Sequence, residues 1–199
     1  YFKDMWHNPK IVIIDTEERL SFAIGFRYFQ PNAWNILANS DIYFDNSLEC
    51  LPEQPDPSRV YCLTRYELPE KKLNELSHCC QDSWIHWGKF SSDVILQLKD
   101  IHLGVIGCDN RVTHILAING YFPTNAALSI KSFHIHQGYK KVYGSNGRLY
   151  GNYLFLPVST INEPKIPEGI YAYQSRPIEY YSGSVEDFYY CFARGFLLD

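Results

Sequence analysis

Over residues 113–157 the chain reads as short β-rich runs broken by turn signals, and this punctuation constrains the fold more than any other feature. The runs cover 114–118, 127–135 and 149–158, with Asn119-Gly120 and Ser145-Asn146-Gly147 between them. Asn-Gly supplies the positive φ angles that close a two-residue hairpin, so a meander of antiparallel strands is expected here. The aromatic content, 16 Tyr, 12 Phe and 4 Trp, points the same way. Tyrosine suits half-buried strands and the walls of ligand clefts, because its ring packs while its hydroxyl stays wet.

The remaining segments extend this to an α+β pattern, an antiparallel sheet core with a few flanking helices. Strands are expected at 10–15, 20–29, 41–44 and 59–65. Short helices are expected at 31–37 and at 69–76, where Pro69 suits the first turn. A further helix begins near Val94 under a cap from Ser91, Ser92 or Asp93 and runs towards Gly104. The last covers 185–196, with Val185, Phe188 and Phe192 on one stripe. The three prolines of 52–58 mark a surface loop, and Cys108-Asp109-Asn110 reads as a turn between a helix and a strand. With 199 residues, 46% of them hydrophobic, the chain has material for one substantial core, so residues 1–199 are read as a single domain.

Charge excludes some partners. A net charge of −4 and a pI near 6.0 give no general attraction to nucleic acid or anionic membranes, and the basic pairs Lys71-Lys72 and Lys140-Lys141 stand isolated. No window approaches the roughly 20 apolar residues of a membrane-spanning helix, and the opening YFKDMWHNPK lacks a signal core. A soluble, unexported protein is the expectation. The six cysteines include no C-x-x-C and read as reduced, mostly buried thiols.

Several constellations carry a chemical reading beside a plain one. Asp15-Thr16-Glu17 resembles the metal-binding start of proofreading exonucleases, but Asp45 and Asp82 lack the expected setting for its other acids, and solvated turn carboxylates explain it as well. His134-Ile135-His136 sets two imidazoles on one strand face, as in metal-binding barrels. Lys140-Lys141 stands where the glutamate ligand belongs, so no metal is expected. Cys108 with His114 is the Cys and His pair read as a candidate for nucleophilic catalysis. Arg65, Ser159-Thr160 and Glu179 follow the order of the arginine, Ser-Thr and late glutamate of a transferase acting on NAD, with Arg65, Ser159 and Glu179 as candidate catalytic residues. Tyr143, Tyr150 and Tyr153 are candidates to line a ligand cleft.

Four segments carry a resemblance to a family. They are Asp41-Ile42-Tyr43-Phe44 before the acidic loop; the run from Ser58-Arg59-Val60-Tyr61 to Arg65-Tyr66-Glu67; Ser92-Asp93-Val94-Ile95-Leu96; and His114-Ile115-Leu116-Ala117-Ile118 followed by Val142-Tyr143-Gly144 and Tyr153-Leu154-Phe155-Leu156. In this order they resemble the T-DNA-encoded plasticity (plast) proteins of Agrobacterium, the group of RolB, RolC and the tumour-morphology oncoproteins. The resemblance spans about 41–158. It implies a modulator of growth, development and hormone response that acts inside the transformed plant cell, in cytoplasm or nucleus. There it would bind plant host regulatory proteins and need no cofactor. It also implies an α+β fold related to that of ADP-ribosyltransferase toxins. The alternative is therefore an enzyme, either an NAD-dependent ADP-ribosyltransferase or one acting on a small hormone-like or phenolic molecule. Some relatives carry the retinoblastoma-binding pattern Leu-x-Cys-x-Glu. Here Leu48-Glu49-Cys50-Leu51 is followed by Pro52, with Glu53 one place late, which turns that side chain to the opposite face of an extended peptide.

Overall fold

The computed structural model of the protein describes residues 12, 14–74, 77–78, 80–135, 149, 151–165, 167 and 169–171. Its architecture is α+β. Ten strands are described: β1 (Trp34–Ala38), β2 (Ile42–Phe44), β3 (Arg59–Leu63), β4 (Arg65–Glu67), β5 (Lys72–Leu73), β6 (Ser83–Trp87), β7 (Phe122–Thr124), β8 (Ser132–His134), β9 (Tyr153–Phe155) and β10 (Gly169–Tyr171). They form one sheet in the order β1-β6-β3-β7, a second in the order β2-β8-β4-β5, and the pair β9-β10. The helices are α1 (Phe22–Arg27), α2 (Ser92–Gln97) and α3 (Cys108–Ile118).

Antiparallel pairing dominates, but β3 with β7 and β4 with β8 run parallel. Strands β3 and β4 are separated by Thr64 alone, yet they belong to different sheets. The chain thus passes from one sheet into the other at Thr64, with 122–134 following alongside.

The core lies on both faces of the first sheet. Along β3, Val60 and Cys62 enter a cluster with Phe22, Phe26, Val94, Leu98, Leu116 and Leu154, while Tyr61 and Leu63 enter a second with Ile85, Ala126 and Ile130. A strand buried on both faces alternates without a polar side, which is why the sequence RVYCL is nearly all apolar. Trp84 of β6 meets Phe22 of α1 edge to face at 4.6 Å and 87°, a geometry that adds about 1 kcal/mol beyond the area buried. His86 stacks on Phe90 at 4.1 Å, and burial pushes its ring below the usual imidazole range. Its Nδ1 lies 3.1 Å from the Arg59 carbonyl, which only accepts, so Nδ1 carries the proton.

The structure corrects several expectations. Residues 20–29 hold α1 instead of a strand: the Ser21 hydroxyl accepts from the Ile24 amide, and Phe22, Ala23 and Phe26 are buried at helical spacing. Residues 31–37 lead through a turn at Asn32, φ 56°, into β1 instead of forming a helix. Residues 69–73 turn at Lys71, φ 53°, into β5. Residues 108–118, read as a turn and then a strand, are one helix, α3, packed on β9 with Val112, Ile115 and Leu116 in the core. Among the described residues, strand structure within 127–135 is confined to β8, and within 149–158 to β9 and an isolated bridge of Val158 with Asn125. The strands at 41–44 and 59–65, the loop at 52–58 and the Ser91 cap of α2 form as expected, although α2 ends at Gln97. The hairpin at 145–147 and the helix at 185–196 fall outside the described residues, as do residues 10, 11 and 13 of the strand expected at 10–15, of which 12, 14 and 15 are not in a strand. Among the described residues no helix is long and apolar enough to cross a membrane.

Candidate functional site

Three chain segments converge on one cleft: the start of β4, the residues before β6, and the first turn of α3. Arg65 opens β4, Asp82 immediately precedes β6, and Asp109 is the second residue of α3. Together with Trp84, Tyr153 and Phe155 they line a cavity of about 440 Å³. Most of its wall is apolar, with Trp84, Tyr153 and Phe155 in it, and the polar groups come from Asn39, Gln81, Asn110 and the charged residues. That combination, an apolar body with a few convergent polar groups, is characteristic of small-molecule sites.

A chain of charged contacts fixes Arg65 at one side of the cleft. Its Nη1 donates to both carboxylate oxygens of Asp82, at 3.0 and 2.9 Å, and its Nε donates to Glu67 Oε1 at 2.8 Å. Asn39 Nδ2 donates to Asp82 at 2.8 Å, and Asn74 Nδ2 donates to Glu67 at 3.0 Å. Glu67 then meets His134 Nδ1 at 2.9 Å, and the other ring nitrogen lies 3.1 Å from Asp41. Burial works against the Arg65 charge, but Asp82 and Glu67 more than offset it. Burial also works against the Glu67 charge, and hydrogen bonds from Asn74, His134 and Arg65 overcome it and bring this carboxyl down to about 2. Asp82 is pushed up by burial, which Arg65 and Asn39 only partly offset.

Asp109 differs in kind. Its carboxylate accepts from the Gln81 amide at 3.1 Å and from the Asn110 amide at 3.0 Å, with no cationic partner among the described residues. Burial pushes it up to about 6, against those amide bonds and with the neighbouring Asp82 charge. A carboxyl raised from its ordinary 3.8 stabilises the fold less as pH rises: its contribution is whole below about 4 and is lost through about 6. Glu67, lowered from 4.5, acts oppositely and loses its contribution as pH falls from 4.5 towards 2. Urea titrations are expected to show stability falling by roughly 2 kcal/mol between pH 4.5 and 7.5, and an Asp109→Asn variant is expected to flatten that slope. An unchanged slope in the variant would place the titrating group elsewhere.

Close packing holds the α3 end of the cleft. Gly107, the N-cap of α3, has φ +80°, and a Cβ there would lie 3.0 Å from the Tyr153 hydroxyl, which itself donates to the Leu149 carbonyl. Gly107→Ala is expected to cost about 2 kcal/mol, read from the urea midpoint.

The sequence candidates divide. Arg65 and Tyr153 are brought together in the cleft. Ser159 is not: it is 1% exposed, and its amide and hydroxyl both donate to the Asn125 carbonyl. His134 engages Glu67 and Asp41 through both ring nitrogens, and among the described residues no group of three side chains could hold a metal. Cys108 and His114 lie six residues apart on α3, so they do not share a helical turn. Burial pushes the Cys108 thiol up to about 12, far from a reactive thiolate. Asp15 and Glu17 are exposed, whereas Asp45 caps the turn of 3-10 helix Asn46–Cys50 through the Ser47 amide. That turn packs Leu48 against the second core cluster, so Leu48 and Cys50 do not present an extended peptide. His136, Tyr143, Tyr150 and Glu179 lie outside the described residues. Sequence reading missed the pairing of Asp82 with Arg65 and the place of Asp109. Asp109 stands two residues after Gly107 and three before Val112, with Ile115 and Leu116 following at helical spacing, a helix-start pattern that could have found it.

Comparison with protein-family models, curated proteins and solved structures finds no match to the chain.

Proposed function

We propose that the chain binds a small amphipathic molecule in the cleft shared by Arg65 and Tyr153, and that it does so as a plast-type modulator of growth inside a plant cell. The observation that carries the binding reading is the cleft itself. Its volume suits one small molecule, Trp84, Tyr153 and Phe155 line it, and so does a carboxylate that has no cationic partner among the described residues. The growth-modulator setting is supported by the sequence resemblance alone, as are action in cytoplasm or nucleus and contact with host proteins.

Among enzymatic readings, this geometry favours a small hormone-like or phenolic substrate over NAD. A dinucleotide brings a pyrophosphate, which calls for an uncommitted cation. The Arg65 guanidinium is already shared by Asp82 and Glu67, and Asp109 adds repulsion.

The test is ligand-observed and protein-observed NMR with an aromatic fragment library, following the Trp84 indole signal. Binding fragments are expected to shift Trp84, and a Val105→Trp variant, which fills the cleft wall, is expected to abolish those shifts while leaving the melting temperature within about 3 °C. Fragments that map away from Trp84, or that bind the filled variant equally, would refute the cleft as the site. Labelled NAD incubated with the protein and plant extract is expected to give no transfer above background.

A further inference from the structure

Resting on the reading of this cleft as a small-molecule site, we propose that its ligand is an organic cation: a protonated amine or amidine on an apolar body. The charged head lies against Asp109 and Gln81, and the body lies among Trp84, Tyr153 and Phe155.

The sign of the head group follows from counting charges at the cleft. Arg65 is matched by Asp82 and shared further with Glu67, so the guanidinium leaves no cation for an anionic ligand. Among the described residues Asp109 is held by amide donors alone, and there its negative charge is the one left over. A helix N-terminus ordinarily welcomes an anion, but here Asp109 already occupies that place at α3. An anionic ligand would therefore meet a carboxylate instead of free amides.

A second, independent observation points to a ligand. Gln81 is 3% exposed and lines the cleft, and its Oε1 has no hydrogen-bond partner among the described residues. A buried amide oxygen without a donor costs free energy until a donor arrives. The Gln81 backbone amide already bonds Asp109, which makes this side-chain acceptor the second oxygen of the proposed receptor for an N–H-rich cation. Trp84, 1% exposed, also has no acceptor for its indole Nε1–H among the described residues, which suits a hydroxyl or ether oxygen on the same ligand. The aromatic walls add cation–π attraction.

Three probes of one shape separate the terms: benzylamine, benzyl alcohol and benzoate, titrated by NMR against the full chain. Benzylamine is expected to bind about tenfold more tightly than benzyl alcohol, with benzoate the weakest. Asp109→Asn is expected to bring benzylamine down to the level of the alcohol without changing the alcohol, which also reports that the variant is folded. Gln81→Met is expected to weaken benzylamine several-fold. In the unmodified protein, lowering pH from about 7.5 to about 5 is expected to weaken benzylamine alone, as Asp109 takes up a proton. The other charged or titratable groups that line the cleft with Asp109 are Asp82, Arg65, Cys80, Cys108 and Tyr153, with His78 edge-on to Phe155. Loss of the pH effect in Asp109→Asn assigns it to Asp109. Benzoate or benzyl alcohol binding as tightly as benzylamine at the Trp84 signal would overturn the cation while leaving the cleft standing. No shift of Trp84 by any of the three would overturn both.

Discussion

Asn125→Leu is expected to destabilise the protein by about 4 kcal/mol or more, lowering the melting temperature by roughly 10 °C, the largest effect of any polar substitution here. Asn125 is fully buried. Its Oδ1 accepts from the Thr64 amide at 3.2 Å, and its Nδ2 donates to the Thr64 hydroxyl at 2.8 Å, the Ser77 carbonyl at 3.0 Å and the Leu156 carbonyl at 3.3 Å. Leucine matches the volume but returns none of these bonds. It strands the buried Thr64 amide and the Leu156 carbonyl, each costing about 1–3 kcal/mol without a partner, while the Ser77 carbonyl keeps the Thr64 hydroxyl. Differential scanning calorimetry measures the loss. A fall of less than about 3 °C would mean that water replaces the amide, and the account of this network would be wrong.

Arg65→Met is expected to cost about 3–5 kcal/mol at neutral pH, because it leaves Asp82 buried and unpaired. The sign with pH is specific. Burial already pushes Asp82 above its ordinary range, and losing the guanidinium pushes it further. A carboxyl raised in the folded state loses its contribution as pH rises through its folded value, so the penalty is expected to shrink in acid and grow in base. Pairing the change with Asp82→Asn is expected to recover roughly half the loss, since the unpaired charge is gone. Urea denaturation of the single and double variants at two pH values tests both statements. A penalty independent of pH, with no recovery in the double variant, would reduce the role of Arg65 to packing of its aliphatic stem.

Where sequence and fold agree, the local signal and the packing coincide. The alternation of β3, the prolines of 52–58 and the Ser91 cap each act within a few residues of themselves. Where they part, distant groups decide. The run Thr113 to Ile118 has the β-branched composition of a strand, but α3 is covered by β9 on one side and by the core on another, and that burial outweighs intrinsic preference. The start of α1 was legible through Ser21 and the spacing of Phe22 and Phe26; the aromatic density of the segment masked it. The site was legible only in part. Arg65 and Tyr153 stand out as residue types, but the pairing of Arg65 with Asp82 and the place of Asp109 near them arise when β4, β6 and α3 meet. No local pattern encodes that meeting.

The parallel pairing of β3 with β7 sets a schedule for assembly. Arg59 and Phe122 lie side by side in the sheet but dozens of residues apart in the chain, with α2 and α3 between them. Strand β6 can join β3 early during synthesis, but the far edge of β3 stays open until Phe122 to Thr124 have been made. Closing so long a loop slows folding, and an open edge in the interval is a template for another nascent copy. A chain of this topology is expected to gain yield from slower synthesis and lower temperature, and Asn125, which arrives with β7 and locks Thr64, is the residue that ends the vulnerable interval.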